Sequence, residues 1–336
     1  MSISLFSAAT TAPASRAVVI GGMHRSGTSL LASLFEGAGV SVGDRLLGHG
    51  NGNEAGHFED LDFQEFHERV LVGNGLSAEG FTADAVPVVP EALRVEATRL
   101  AEVRQHRGTW GWKDPRTILF LDFWAEILPD ARYVFVFRRP WEVADSFFRR
   151  GDPAFVFNPP HAARVWLHYN RLILQFVARH RDRCLIREMT QVVADPREVF
   201  AAVRDRLGVA VGEPPDRYRA ELLHTTADGV HSRLVAASCP EAIDVYLRLR
   251  ELAGSTAALP VDVTVSLADL AVMQWARSSR MEQDNAAVRR EWVGQQAALT
   301  DLRTSLTDLA RRPELDPTVA RQLAELGGAP ATLRAA

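Results

Sequence analysis

Apolar positions along the chain follow two spacings. At residues 17–20, 109–113, 131–137 and 183–187 they form short runs rich in β-branched and aromatic side chains. Each run predicts a strand, and the one inside "ARYVFVFRR" is continuous, as in a strand covered on both faces. Between the runs, apolar residues recur every three or four positions, the helical period. This predicts helices from Gly27 to Gly37 or Gly39, and over 60–73, 91–106, 117–129, 141–150, 161–180, 196–207 and 240–253. The helix breakers agree with these bounds. Pro129 stops one helix, Asp195 stands where another would be capped, and Gly208 follows its end. Strands alternating with helices predict an α/β fold, with a central parallel sheet between two helical layers.

Both ends of the chain depart from that pattern. Residues 1–15 are small and polar and predict a loose leader to a domain spanning 16–255. After Pro260, positions 267, 271, 274, 278, 281, 285, 288, 292, 295, 299, 302, 306 and 309 step strictly by four and three, and the last four are leucine. This heptad stripe predicts a long helix over 262–312, followed by a tail at 313–336. Gln274, Ser278 and Asn285 interrupt the stripe. Two uses stay open: a homodimer or docking arm, and a helix folded back on its own domain.

Composition narrows the function. A net charge of −4 over 336 residues gives no global basic field for nucleic acid. Cys184 and Cys239 make no metal or redox spacing, and Cys184 in "RCLIRE" is expected in the core. No apolar run approaches the roughly 20 residues of a membrane span, and the first residues lack a signal-peptide pattern. A cytoplasmic protein is the expectation. Of the 38 Lys and Arg residues, Lys113 is the single lysine, and it lies in "WGWKDPR" at a strand end.

Ligands of parallel sheets bind beyond the carboxyl ends of the strands. Three polar clusters stand there: residues 22–29, 113–116, and Arg138 with Arg139. The first, Gly22-Met23-His24-Arg25-Ser26-Gly27-Thr28-Ser29, joins a strand to a helix as a phosphate-binding loop does. Its backbone N–H groups and the hydroxyls of Ser26, Thr28 and Ser29 suit an anion. Thr28 occupies the place where a nucleotide triphosphatase carries lysine, so one phosphate-like group fits better than a triphosphate with its metal. Arg138 leaves the third strand, and Ser146 follows eight positions later. Two helical turns return Ser146 to the same edge, where a guanidinium and a hydroxyl make a second phosphate grip.

These motifs resemble the sulfotransferases that use 3′-phosphoadenosine 5′-phosphosulfate (PAPS). The 5′-phosphosulfate loop of that family, x-x-[KR]-S-G-T-[ST], stands here as His24 to Ser29, and its 3′-phosphate pair is matched by Arg138 and Ser146. "KDP" at Lys113-Asp114-Pro115, "LPDARYVFVFRR" and "NEAGHFEDLDF" resemble the tyrosylprotein and bacterial branches, and the resemblance spans about residues 16–255. It implies a P-loop-type three-layer sandwich, PAPS as co-substrate, no metal, and in-line attack of an acceptor hydroxyl or amine on sulfur. Gly22, His24, Arg25, Ser26, Gly27, Thr28, Ser29, Arg138 and Ser146 are then expected to hold the nucleotide. Arg25 and Lys113 are the cations expected to stabilise the transferring group.

A base must take the acceptor's proton. His49, Glu54, His57, Glu59 and Asp60 lie in the long loop, and Glu59 is favoured because it directly precedes a helix, although it would also suit the cap. Asp114 and Arg116 are expected to position Lys113. Lys113 itself could instead be in an ordinary ion pair with Asp114. The acceptor, a glycan, a peptide or a small metabolite, is left open; Trp110, Trp112 and Phe58 could stack on it or belong to the core. Two other readings remain: a metal-dependent phosphoryl-transfer kinase, and a PAPS-binding scaffold acting through the heptad helix.

Overall fold

The computed structural model describes residues 16–48, 57–105, 108–216, 229–255, 267–314 and 316–328. The expected leader, together with His49 and Glu54, lies outside them. Four strands, β1 (Arg16–Gly21), β2 (Thr109–Lys113), β3 (Arg132–Phe137) and β4 (Cys184–Glu188), form one sheet in the order β2-β1-β3-β4. All three pairings are parallel, with Ile20 opposite both Lys113 and Val134.

Alternation along the strands builds the sandwich. Ala17, Val19, Tyr133, Phe135 and Phe137 enter one core; Val18, Ile20, Val134 and Val136 enter the other. On the second face lie α1 (Thr28–Gly37), α8 (Met189–Ala194) and α9 (Pro196–Leu207). On the first are α2 (Leu61–Gly73), α3 (Glu91–Arg104), α4 (Leu121–Ile127), α5 (Pro140–Arg150), the single turn α6 (Pro153–Val156), α7 (Pro160–Arg179) and α11 (Pro240–Ala253), with α10 (Gly229–Ser238) beside it. Two buried layers around a parallel sheet give the expected α/β sandwich.

Local chemistry explains most boundaries. Asp195 caps α9 by accepting from the Glu198 N–H at 3.0 Å, and Gly208 ends it in the left-handed region, at φ 61°. The helix expected over 117–129 is instead a 3-10 stretch (Pro115–Phe120) followed by α4. Asp114 caps the 3-10 turn through the Arg116 N–H, and all six of its residues are buried, so packing rather than helical periodicity sets the backbone there. Trp110 and Trp112 are 1% and 0% exposed and belong to the core, as does Cys184.

A second compact unit follows. It consists of α12 (Leu267–Ala310, 44 residues) and α13 (Pro317–Gly328). Residues 262–266, expected within the long helix, lie outside the described residues. The expected tail thus contains a helix. Gly327 of α13 lies against Thr307 and the Arg303 carbonyl of α12. Met281, Val288, Trp292, Leu299 and Leu302, all on the heptad stripe, are exposed.

Candidate active site

The loop after β1 is shaped by glycine. A Cβ on Gly22 would lie 2.3 Å from the Val136 carbonyl oxygen, so the loop can run tight against β3 only without a side chain. Gly27, at φ 90°, precedes α1 and gives it no side-chain cap; a Cβ there would meet Met189 Sδ at 2.3 Å. Among the described residues, the N-cap gives the first N–H groups of α1 no side-chain acceptor, and no acidic residue occupies the helix's first turn. That end carries the positive pole of the helix dipole. Ser26 is fully buried, and its Oγ has no hydrogen-bond partner among the described residues. An orphaned donor at an uncapped helix N-terminus fits an anion.

On the β3 side, Arg25 Nε donates to Ser146 Oγ at 2.9 Å, which joins the loop after β1 directly to α5. Burial, and then Arg150, lower the Arg25 pKa; Arg138 and Arg149 act the same way and Asp152 opposes them. Arg149 and Arg150 are paired with Asp145 and Asp152 at 2.8 and 2.7 Å. Arg25 has no carboxylate partner among the described residues, only that hydroxyl. Arg138 Nε donates to Glu142 Oε2 at 2.8 Å, one turn along α5, and its carbonyl accepts from Trp166 Nε1 at 3.0 Å. Glu142, 1% exposed, also faces Arg139 at 3.4 Å. Sequence reasoning missed Glu142, although its spacing of four from Arg138 was a readable signal.

On the β2 side, Lys113 Nζ donates to Glu59 Oε1 at 2.7 Å. The buried lysine thus pairs with the favoured base rather than with Asp114. Burial lowers the Lys113 pKa, and Glu59 works against that shift. Glu59 is placed from both sides. Its carbonyl accepts from the Leu47 N–H at 2.8 Å, and the next residue, Asp60, anchors α2. Asp60 takes the capping role, accepting from the Asp62 N–H, and pairs with Arg104 at 2.8 Å. Phe63 stacks on Trp112 with centroids 4.2 Å apart, which sets α2 beside β2. These bonds give Asp60 the helix cap and the Arg104 pair, while the Glu59 carboxylate meets Lys113. His57 is half-buried nearby in sequence.

Behind the pair lies a buried network. Arg116 Nη1 donates to Asp114 Oδ1 at 3.0 Å, stands 3.8 Å from Glu59 Oε2, and through Nη2 reaches Glu68 at 3.0 Å. Burial alone would raise the Asp114 carboxyl; Arg116 and His67 outweigh it and hold it well below the usual carboxylate range. Trp124 Nε1, which can only donate, bonds His67 Nε2 at 2.9 Å. The imidazole proton therefore sits on Nδ1 and is donated to Asp114 Oδ2, at 2.7 Å.

A family model described as "Sulfotransferase family" matches residues 17–213. No curated protein matches the chain. Among solved structures, the chain is similar to a sulfotransferase domain from the curacin biosynthetic pathway, at 19% identity over 78% of this chain and 98% of that one, with a TM-score of 0.40. It is also similar to the sulfotransferase domain of the Synechococcus PCC 7002 olefin synthase, at 22% identity over 79% and 96%, TM-score 0.39. A sulfotransferase from Alicyclobacillus acidocaldarius shares 14% identity over 71% and 96%, TM-score 0.41.

Proposed function

Because the chain belongs to the sulfotransferase family, we propose that it moves a sulfuryl group from PAPS to a hydroxyl or amine of a glycan, peptide or small-metabolite acceptor. The observation that carries this reading is the pair of grips flanking one uncapped loop. Arg25 and Ser146 meet at 2.9 Å on the β3 side, and Lys113 and Glu59 at 2.7 Å on the β2 side. A nucleotide with two separate anionic ends suits that layout.

Each residue then has a role. Backbone N–H groups of Arg25, Gly27, Thr28 and Ser29, with the hydroxyls of Ser26, Thr28 and Ser29, hold the 5′-phosphosulfate, while the Ser26 N–H closes the turn on the Met23 carbonyl at 3.1 Å. Gly22 and Gly27 let the backbone approach. Arg138 and Ser146 hold the 3′-phosphate, with Glu142 fixing the Arg138 guanidinium, and Arg25 ties that grip to the loop. PAPS supplies an activated sulfur whose bond to the bridging phosphate oxygen breaks as the acceptor's oxygen or nitrogen bonds to it. Glu59 takes the acceptor's proton. As Glu59 loses its charge, the Lys113 ammonium turns from it to the charge growing on the departing oxygen. Arg116 and Asp114 keep Lys113 and Glu59 in place.

The test is calorimetry with adenosine 3′,5′-bisphosphate and transfer from ³⁵S-labelled PAPS, with and without a magnesium chelator. Tight bisphosphate binding and chelator-insensitive transfer are expected. Silent calorimetry sinks the reading, and a magnesium requirement points to phosphoryl transfer instead.

A further inference from the structure

Two consecutive residues of the phosphate loop have different neighbours. Arg25 belongs to the β3 side through Ser146. His24 belongs to the β2 side: the charged groups acting on it are Arg116, Asp114 and Lys113, with Arg150 weakest. Its ring meets Phe81 edge-on, with centroids 5.1 Å apart, and Tyr169 at 6.1 Å. The Nε2 atom is sealed from solvent and has no hydrogen-bond partner among the described residues. Burial first, then Arg116, lowers the imidazole's pKa well below 6.5, so the ring is neutral at pH 7. A buried, unpaired nitrogen is costly, and the cost is recovered when a ligand group fills it.

Phe81 is fixed beside it by the backbone on either side. The Ala78 carbonyl accepts from Arg116 Nε at 2.7 Å, the Gly80 carbonyl from Tyr169 Oη at 2.8 Å, and the Phe81 carbonyl is bonded to His161 Nε2 at 3.0 Å. Gly80 itself sits at φ 73°, and a Cβ there would lie 2.9 Å from Tyr169 Oη. The segment is therefore tied to both α7 and the Lys113–Glu59 network. Phe81 remains only partly buried, packed against Phe147 and Phe155.

We propose that His24 and Phe81 form the acceptor's seat: His24 Nε2 hydrogen-bonds a hydroxyl next to the reacting one, while Phe81 packs against the carbon skeleton. The acceptor is then a carbohydrate ring with neighbouring hydroxyls. This takes the His24 side chain out of the nucleotide grip and rests on the sulfuryl-transfer reading above. Glu59 already receives the reacting proton, so His24 has the second hydroxyl to read. Aromatic faces pack well against the C–H faces of sugars, and a neutral imidazole offers either hydrogen-bond role.

The experiment uses the full chain, ³⁵S-labelled PAPS, and methyl glycosides of glucose, galactose and N-acetylglucosamine with their single-deoxy analogues. p-Nitrophenol and a tyrosine peptide serve as controls. In His24→Phe, kcat/KM for the sulfated glycoside should fall about 10–100-fold, the scale of one lost hydrogen bond. For the analogue lacking the neighbouring hydroxyl, the fall should be about twofold or less, because the contact is already absent. His24→Gln, which keeps a polar end, should recover part of the loss, and the affinity for adenosine 3′,5′-bisphosphate should stay within about twofold throughout. If His24→Phe fails to fold, the same comparison is made with His24→Gln and His24→Asn. Equal losses for parent and deoxy glycosides overturn the proposal, as does a loss confined to bisphosphate affinity. Transfer only to p-nitrophenol or the peptide, or bisphosphate binding with no transfer to the panel, also overturns it. Absence of bisphosphate binding in the unaltered protein overturns the underlying transfer reading instead.

Discussion

Lys113 is the one lysine in the chain, and burial makes its charge conditional. With its pKa held below 10.5, the ammonium is lost as pH rises through that depressed value, and nucleotide affinity and rate should fall with it. The alkaline limb of bisphosphate affinity is therefore expected below pH 10.5, and Glu59→Gln should move it lower still, because Glu59 is the first group that raises the Lys113 pKa. A limb that stays put in Glu59→Gln contradicts the pairing. The same variant should lose about 10²–10⁴ in kcat through the missing base. Lys113→Met keeps the stem and removes the charge; kcat should drop about 10²–10³, read in single-turnover transfer. A near-normal kcat would remove Lys113 from the chemistry. At this scale, sequence singled out Lys113 and Glu59 separately but could not pair them, since 54 positions separate them.

Among the elements, the junction of β1 and α1 sets the geometry. Gly27→Ala should strain a left-handed residue and displace Met189, costing about 1–2 kcal/mol of stability. Thermal unfolding would show that cost, and calorimetry should show bisphosphate affinity weakened about tenfold or more, since a further 1.4 kcal/mol of misfit suffices. Unchanged affinity with lowered stability would mean that the loop does not hold the ligand. The second stabilising device is the Asp114 network. Asp114 stays ionised in the fold at pH values where it would be protonated when unfolded, so its contribution is full above about 3.8 and is lost as pH falls through its depressed folded pKa. Asp114→Asn, by breaking a buried pair, should cost about 3–5 kcal/mol near neutral pH and less in acid, checked by denaturant titration at both pH values.

For the whole molecule, the heptad helix α12 carries the prediction. Its stripe keeps Val288, Trp292, Leu299 and Leu302 exposed, and Asn285, also exposed, falls on the same seam. A helix with the same repeat and a matching polar position is what such a seam accepts, and a second copy of this chain has one. We therefore expect a homodimer through α12. Leu302→Glu should convert it to a monomer by light scattering while leaving bisphosphate binding intact; an unaltered protein that is already monomeric at micromolar concentration rules the dimer out.

The strands, most of the helices, the glycine loop after β1 and the Arg138–Ser146 spacing could be read from the residues alone. These are local: glycines, caps and periodic apolar positions act within about a dozen residues. Which charge meets which was set by packing in three dimensions. Packing gave the cap to Asp60, freeing Glu59 for Lys113, set Arg25 against Ser146, buried Trp112 and left His24 Nε2 without a partner among the described residues. Those outcomes depend on chain crossings over long separations, and on which of several competing partners the packing brings within reach.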